Sequence, residues 1–470
     1  MIRQTHDNQP MNSVVDSSGS GARRVRTGKI RYAICGLSVR GIYHFLLPLL
    51  GRADTKDAGD FRDQAEVVGI LDLDLERIKQ FQKKLGLSIP SFTPVQGVEA
   101  MIRETHPDVL LVAGPDFTHA EYILAGLRND LRVIAEKPAV INSKQIRQVL
   151  AAEKKSQGSL VVAHNYRYTD INCRIKELLL ENKIGRPTNI EYAYNLDTFH
   201  GASYFYRWNR ERSKSGGLSI HKSVHHLDLI SWLIDSPPET VFAFGARNYY
   251  GPDGAHRPKS PDGRKLTLTE IRQACPYFQS HYAPRGDKPS ERIRPGWDKL
   301  ELPYAEQYPL DNYIYDEAID IEDTYSSVIR YRNGASMAYS INFSAPWEGY
   351  TLAINGTRGR LEVSHRLYAD PTGATSGEPS KDQIVVWPLF GGREEYDVPV
   401  ALGGHGGADP VIRRELFLGP NDKSLRLKLS ADSYAGALAI ATGEAIWRSA
   451  QDGRSYQIRD LLGECYRPAP

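Results

Sequence analysis

The chain has 470 residues, a formal net charge of +2, 41% hydrophobic and 25% charged residues. These values exclude a strongly basic nucleic-acid-binding protein and predict a soluble protein of two domains, because one core rarely serves so long a chain. Its four cysteines are scattered, with no CxxC pair, and no apolar run is long enough for a membrane helix. We therefore expect a reducing compartment, a cytoplasmic location, and no membrane partner.

The first 28 residues are rich in Ser, Asn, Asp and Gly and predict a disordered tail. A strand is predicted at 30–35, then a turn at 36–41 and a helix at 42–50. This turn matches the dinucleotide pattern GxGxxG except that Ser38 replaces the middle glycine. Gly36 permits a tight turn and Gly41 permits close helix–strand packing. An ordinary strand-to-helix turn fits the same residues.

A second predicted strand, 66–71, ends in Asp72. An acid at this point accepts hydrogen bonds from ribose hydroxyls and repels a 2′-phosphate, so we expect NAD rather than NADP. The alternative is that Asp72 caps the helix predicted at 74–85, for which Asp74 is equally well placed.

Strands and helices continue to alternate up to residue 164. The further predicted strands are 108–113, 131–135 and 160–163, and the further helices are 94–104, 119–127 and 143–155. Such alternation predicts a doubly wound parallel sheet over residues 29–164.

Two turns in this half follow buried strands and carry polar side chains. Pro115 to His119 should border the nicotinamide half of the cofactor, although His119 could equally cap and pack a helix. Pro138 ends the strand before it, so Lys137 is placed at the carboxyl edge of the sheet, where ligands bind. A partly desolvated lysine titrates nearer neutrality and suits proton transfer with a hydroxyl. The alternative is a surface lysine before a turn.

Residues 165–470 have a different character and predict a substrate and oligomerisation domain. Alternating segments predict a mostly antiparallel sheet. The segment from about 249 to 318 is rich in Pro, Gly and Tyr and is interpreted as an insertion. The predicted strands are 188–195, 240–247, 323–331, 335–344, 350–355 and 360–364; the predicted helices are 170–181, 218–234 and 433–450.

The helix predicted at 218–234 contains a histidine cluster. His221 and His225 are four residues apart and should share one face, with Asp228 close to it. Histidines there could act as a general base toward a sugar hydroxyl, or bind a metal with a distant third ligand. His226 and Asp228 could instead anchor the helix to the sheet.

Together these motifs resemble the Gfo/Idh/MocA family over about residues 29–460. The resemblance implies a Rossmann domain that binds NAD(P), a C-terminal α/β domain whose open sheet commonly builds homodimers or homotetramers, and hydride transfer at a ring carbon of a sugar or cyclitol. It depends on residues 36–41, 115–119, 136–138, 165–167, Gly216 and Gly217 with His225 and Asp228, and 355–357 with Gly359.

The resemblance assigns roles position by position. Lys137 matches the catalytic lysine and His225 the catalytic histidine. His221 stands where the family has an aspartate that holds substrate hydroxyls; because imidazole both donates and accepts, we expect a changed proton path or a metal there. The cofactor-binding residues implied are Gly36, Ser38, Gly41, Asp72, Pro115, His119 and Glu136. The substrate-binding residues expected are Tyr166, Arg167, and His405 and Asp409 from the glycine-rich segment 403–409.

The sequence thus predicts an NAD-dependent oxidoreductase for a sugar or glycoside, in which Lys137 or His225 takes the hydroxyl proton. One alternative is a glycoside-cleaving enzyme, in which transient oxidation to a keto sugar permits elimination of the aglycone. A second alternative is a non-catalytic sugar or nucleotide sensor, which only Ser38 supports.

Overall fold

A computed structural model describes residues 28–53, 59–277, 300, 302, 312–367, 381–399, 401 and 404–467. The predicted tail therefore lies outside the described residues up to residue 27, and so does part of the predicted insertion. The described residues form two sheets, one in each half of the chain. No helix among them is long and apolar enough to cross a membrane.

The first sheet has seven strands in the order β15-β6-β5-β4-β1-β2-β3. Its six N-terminal strands pair in parallel, and β15 from the C-terminal half adds an antiparallel edge. Nearly all side chains of the central strands are buried, as expected for a sheet covered on both faces. This confirms the predicted Rossmann fold. The strands are β1 Ile30–Cys35, β2 Ala65–Leu71, β3 Ser91–Phe92, β4 Val109–Val112, β5 Arg132–Ala135, β6 Ser159–Val162 and β15 Ala431–Asp432.

The helices of this half follow the strands. They are α1 Leu47–Leu49, α2 Leu75–Leu85, α3 Val98–Thr105, α4 Asp116–Arg128 and α5 Ser143–Glu153. The helical stretch predicted at 42–50 is confirmed, but it is not a regular α-helix: a π-helical segment, Gly41–Leu46, precedes α1. Leu47 donates to the carbonyl of Ile42, five residues back, and Pro48 has no N–H with which to resume the α-helical ladder.

The second sheet has nine strands in the order β14-β13-β12-β11-β7-β10-β9-β8-β16. Only β7 and β10 pair in parallel within its described strands, so the predicted antiparallel character is confirmed. The strands are β7 Pro187–Asp197, β8 Pro238–Ala246, β9 Thr324–Tyr331, β10 Ser336–Ala345, β11 Glu348–Gly356, β12 Gly359–Leu367, β13 Lys381–Pro388, β14 Glu394–Pro399 and β16 Tyr456–Gln457. Strands β13 and β14 were not predicted.

The helices of the second half lie before, between and after the strands of the second sheet in the chain. They are α6 Asp170–Leu180, α7 Thr198–Ala202, α8 Arg212–Ser215, α9 Leu218–His221, α10 Val224–Leu233, α11 Leu268–Ala274, α12 Ala408–Leu418, α13 Asp422–Leu427, α14 Ser433–Asp452 and α15 Ile458–Leu462. Helix α14 packs against α5 of the first half and against β8 and α10 of the second.

The single helix predicted at 218–234 is wrong. The chain breaks between α9 and α10, where the amide of Ser223 donates to the Leu218 carbonyl and its hydroxyl contacts the same oxygen. A serine hydroxyl that competes for helix carbonyls favours such a break. Helix α14 also packs closely against α9, because a Cβ at Gly443 of α14 would collide with the carbonyl of Ser219 in α9. His221 is therefore the last residue of one short helix, and His225 lies in the first turn of the next.

Candidate active site

The glycine turn after β1 is packed against the turn after β4. Gly36 has φ +105°, and a Cβ on it would collide with the backbone of Gly114. Ser38, which replaces the middle glycine, accepts a hydrogen bond on Oγ from the amide of Gly41 at 2.9 Å. The serine thus stabilises the start of the helical segment that follows the turn.

Asp72 lies against the same turn. Its carboxylate accepts from the amides of Leu37 at 2.6 Å and Asp74 at 2.9 Å. Asp74 caps α2 through the amides of Glu76 and Arg77, so the alternative of Asp72 as the cap is wrong. Burial raises the pKa of Asp72, although these two amides oppose the shift. Since a carboxylate has about four lone-pair positions, Asp72 can still accept from ribose hydroxyls, and these residues fit a dinucleotide.

His119 ties two loops together. Its ring nitrogens lie 2.9 Å from the carbonyl oxygens of Pro138 and Gly114, and the side chain is buried. This geometry favours the packing alternative over direct cofactor contact, because both nitrogens face backbone. Pro115 precedes the first residue of α4 and so fixes where that helix begins.

Lys137 follows β5 and reaches the second half of the chain. Its Nζ donates to the backbone carbonyl of His221 at 3.2 Å. Burial lowers the pKa of Lys137 to about 8, although the carboxylate of Asp116 opposes this shift. The lysine is therefore not the exposed surface residue of the alternative interpretation, and its amine is partly unprotonated in weakly alkaline solution.

His221 is paired with an acid that the sequence analysis did not single out. Its Nδ1 lies 2.5 Å from Oδ2 of Asp116, the first residue of α4. Burial raises the pKa of Asp116, and the nearby Lys137 ammonium opposes that rise. Burial also lowers the pKa of His221, with a further contribution from Lys137. Asp116 stood within the 115–119 motif, but nothing in the sequence linked it to residue 221.

His225 lies four residues after His221, whose carbonyl Lys137 contacts, and on the other side of the helix break. Its ring stacks on Tyr166 with centroids 4.3 Å apart, and its buried Nδ1 has no hydrogen-bond partner among the described residues. Burial lowers its pKa, and Lys137 is the next largest cause. The ring of His405 lies 6.1 Å away, so the glycine-rich segment does reach this cluster.

Tyrosines and a buried lysine form the wall beyond His225. The hydroxyl of Tyr166 lies 3.2 Å from that of Tyr194, which donates to Glu348 at 3.2 Å. The ammonium of Lys222 lies over both tyrosine rings, 5.9 and 5.2 Å from their centroids. Hydroxyls, a carboxylate and an ammonium side by side can both donate to and accept from a polyhydroxylated ligand.

Arg167, predicted to bind substrate, is used elsewhere. Its guanidinium makes a bidentate ion pair with Asp228 at 2.7 and 2.6 Å, and it also donates to the carbonyls of Lys428 and Ser430. Both charged side chains are buried. Arg167 and Asp228 thus anchor α10. Substrate binding by Arg167 stays a prediction, and its guanidinium has little capacity left for a ligand.

Arg40, inside the glycine turn, holds two of the predicted acids. It donates to Glu136 at 2.9 Å and to Asp409 at 2.7 Å. Asp409 also accepts from Asn165 at 3.0 Å and pairs with His405 at 3.0 Å. Burial raises the pKa of Asp409, but Arg40 more than offsets this and the pKa lies well below its usual range. Through Arg40, Glu136 and Asp409 thus connect the glycine turn (the cofactor turn) to the glycine-rich segment that contains His405 (the His405 segment).

The metal alternative finds no ligand set in the part of the chain that the structure describes. No group of three His, Cys, Asp or Glu side chains there is arranged to hold an ion. His221 and His225 are separated by the helix break, and Nδ1 of His221 is taken by Asp116. What the cluster can do is exchange protons, since an amine, a carboxyl and two imidazoles have pKa values shifted toward their neutral forms.

Comparison with known proteins places this geometry in context. The family models described as "Oxidoreductase family, NAD-binding Rossmann fold" and "Oxidoreductase family, C-terminal alpha/beta domain", both named for GFO_IDH_MocA, match residues 30–164 and 176–458. The chain is 42% identical over 434 residues to YteT of Bacillus subtilis (strain 168), which carries an oxidoreductase name; the match covers 91% of this chain and 97% of YteT.

More distant similarities are narrower in sequence but extensive in structure. Myo-inositol 2-dehydrogenase of Thermotoga maritima is 24% identical over 199 residues, which cover 42% of this chain and 56% of that enzyme. A structure of levoglucosan dehydrogenase in complex with NADH and L-sorbose superposes with a TM-score of 0.61 at 16% identity, covering 92% of this chain and 99% of that one. At 16% identity the superposition shows that the two proteins share a fold and shows nothing about their substrates.

Proposed function

Because this chain belongs to the Gfo/Idh/MocA oxidoreductase family, we propose that it oxidises a ring carbinol of a sugar or glycoside with NAD. The observation that carries the proposal is the convergence of Lys137, Asp116 and His221 beside the glycine turn, from opposite halves of the chain. A relative named for myo-inositol supports a polyhydroxylated substrate. Its N-terminal domain is an NAD-binding Rossmann domain.

Gly36, Ser38, Gly41 and Asp72 would hold NAD, the last through its remaining lone pairs. When bound, NAD supplies the acceptor for the hydride that leaves the carbinol carbon. The protein's part is to orient the hydroxyl and remove its proton. Lys137, whose pKa is about 8, accepts that proton in its amine form.

The wall opposite Lys137 would position the other hydroxyls. Tyr166 and Tyr194 offer phenol groups, Glu348 accepts, and Lys222 donates. His225, buried and with an unpartnered Nδ1, is placed to contact the ligand or to exchange a proton with it. Holding both reactants in one geometry lowers the barrier by removing the entropy cost of their encounter.

Glycoside cleavage is a second candidate, and one observation favours it. Oxidation of a carbinol needs one proton acceptor, whereas Lys137 and the Asp116–His221 pair provide two. The second could take the proton from the carbon next to the new carbonyl. The C–H electron pair would then form a double bond as the bond to the aglycone oxygen breaks, and the aglycone would leave as an alcohol after it gains a proton. Addition of water across the double bond and return of the hydride to the carbonyl carbon would then release the free sugar with no net oxidation.

The experiment incubates purified protein with NAD and a panel of sugars, cyclitols and glycosides, and follows NADH absorbance and free sugar in parallel. Accumulation of NADH supports the dehydrogenase. Release of sugar without NADH supports cleavage. If neither signal appears although a fluorescence titration shows that the protein binds NAD, both enzymatic proposals are contradicted and the sensor alternative remains.

We also propose a cytoplasmic homodimer or homotetramer. The cysteines Cys35, Cys173, Cys275 and Cys465 are all free, which suits a reducing compartment. The second sheet exposes apolar side chains on one face, among them Phe244 and Val328 on adjacent strands. Light scattering during size exclusion measures the subunit number, and a monomer at micromolar concentration contradicts this part of the proposal.

A further inference from the structure

We propose that Asp116 is a positioning residue: it holds the proton of His221 on Nδ1 and so makes Nε2 the acceptor for a substrate hydroxyl. The inference rests on the proposed function, since it identifies how one group of the same site handles protons. Asp116 contacts His221 and not the substrate; it acts by determining whether the Nε2 that faces the substrate carries a proton.

The contact is short and enclosed. Oδ2 of Asp116 lies 2.5 Å from Nδ1 of His221, and the two side chains are 5% and 12% exposed. The Lys137 ammonium favours the ionised form of Asp116 and so opposes the effect of burial on the pKa of this carboxyl. In that form the carboxylate only accepts hydrogen bonds, and Nδ1 is the donor. A neutral imidazole carries a single N–H, and its remaining lone pair then lies on Nε2.

The neighbouring amide of Asn209 does not occupy that lone pair. Its Nδ2 lies 3.2 Å from Nε2 and 3.4 Å from Nδ1, which are nearly equal distances. A partner in line with the Nε2 lone pair would lie much farther from Nδ1, because the two nitrogens stand on opposite sides of one ring carbon. Asn209 therefore contacts the ring between its nitrogens and leaves Nε2 directed elsewhere.

Lys137 secures the same residue from its backbone. Its ammonium donates to the carbonyl of His221, while Asp116 holds the ring. Both anchors come from the N-terminal half, from the turns after β5 and β4. The backbone and the ring of His221 are thus oriented by the domain that binds the cofactor, although His221 itself belongs to the other half.

Charge explains why the acid is needed. Lys137, Arg207 and Lys222 all act on His221 electrostatically and disfavour a proton on its ring. The Asp116 carboxylate has the opposite effect. If Nε2 is protonated, the ring becomes an imidazolium cation whose Nδ1–H faces this carboxylate. In the proposed reaction Nε2 instead accepts a hydrogen bond from a sugar hydroxyl next to the one whose proton Lys137 takes, and the ring stays neutral. No proton needs to move to Asp116.

The test uses the whole protein labelled with ¹⁵N-histidine. In wild type we expect a low-field proton resonance from the short Nδ1–H bond, absent in His221→Gln, and ¹⁵N shifts that identify Nε2 as unprotonated. Asp116→Ala should lose the resonance. Asp116→Asn, which keeps the side-chain size, should lose it too, because a neutral amide makes a longer hydrogen bond. Glu121→Ala, an exposed acid of the same helix, should keep it.

Turnover gives the second readout, with a sugar identified by the panel. We expect Asp116→Ala to lower kcat by about 10²-fold or more, to change the pH profile, and to leave NAD affinity within about twofold. The inference is overturned if the resonance persists in both Asp116 variants, or if Nε2 carries the proton in wild type. If the panel yields no turnover, the proposed function fails while the spectra still decide the role of Asp116.

Discussion

Two buried groups of charged residues lie close together at the junction of the two halves, and they differ in what burial does to them. In the Arg167–Asp228 pair, burial lowers the pKa of the arginine, but the bidentate carboxylate more than offsets this and the pKa is raised. In the Lys137–Asp116–His221 cluster, burial prevails, and the pKa of the lysine falls to about 8.

The difference lies in how completely the partners satisfy each other. Arg167 has two carboxylate oxygens and two carbonyls as acceptors. Lys137 has a carbonyl at 3.2 Å and a carboxylate that is already bonded to an imidazole. An ion pair whose hydrogen-bonding groups all have partners stabilises one structure. Groups whose pKa values are shifted toward the uncharged form can exchange protons at a modest free-energy cost.

The largest expected effect is on turnover. Lys137→Ala should lower kcat by about 10²- to 10⁴-fold, because it removes the amine that accepts the hydroxyl proton. NAD affinity and the free energy of unfolding should change little. Initial rates, fluorescence titration with NAD and urea denaturation measure the three quantities. Lys144→Ala, at an exposed position of helix α5, is the matched control, and near-normal turnover in Lys137→Ala would contradict the assigned role.

The next effect concerns stability. Arg167→Ala should lower the free energy of unfolding by about 3–5 kcal/mol, because it leaves the carboxylate of Asp228 buried and uncompensated. Arg174→Ala, which breaks a partly exposed pair with Glu177, should cost about 1 kcal/mol or less. Urea denaturation followed by circular dichroism compares the two. Equal losses would show that the buried pair is no more structural than the surface one.

The pH dependence distinguishes the two groups further. Only the amine form of Lys137 accepts a proton, so kcat/KM for oxidation should rise with pH through about 8 and level off above it. Folded Lys137 loses its proton at about pH 8, whereas an unfolded lysine keeps it to about 10.4. The unfolded state therefore binds more protons in that window, and this group makes the free energy of unfolding rise with pH there.

Rates and urea midpoints from pH 7 to 10 measure both trends. Lys137→Met should remove this group's contribution to the second trend. A flat rate profile, or a rate that falls above pH 8, would count against an amine base.

The smallest expected effect concerns the connection between the cofactor turn and the His405 segment. Asp409→Ala removes the carboxylate that Arg40 and His405 share. We expect the KM of the sugar to rise about five- to tenfold, the scale of one charge-assisted hydrogen bond, with kcat nearly unchanged. Steady-state kinetics measure this split. The exposed Asp460→Ala is the control, and a change in kcat alone would argue against a positioning role.

Much of the fold could be predicted from the sequence because local patterns determine it. The alternation of apolar strands and helices up to residue 164 predicted the parallel sheet, and β1 was predicted with the bounds that the structure has. Strands β13 and β14 were missed. Their residues include glutamates, a lysine and a tryptophan on a half-exposed sheet, so hydrophobic periodicity was too weak to indicate them.

The site was predictable only in its separate parts. Lys137, His221 and His225 were singled out from motifs, but the pairing of Asp116 with His221 joins residues 105 positions apart in the chain. The break between α9 and α10 depends on the side chain of Ser223 and on the close packing of α14 against α9. The spacing of histidines in the sequence indicates neither. The ion pair of Arg167 was missed for the same reason, since its partner Asp228 is 61 positions away.

The division of the cluster between two halves of the chain has a consequence for how the protein loses activity. Lys137 and Asp116 belong to one sheet's turns, and His221 belongs to a helix of the other half. Any loosening at this seam separates the reacting groups while each sheet stays intact. On gentle heating or at low denaturant, inactivation should therefore precede the loss of secondary structure, and the interval between the two midpoints reports the strength of the contact between the halves.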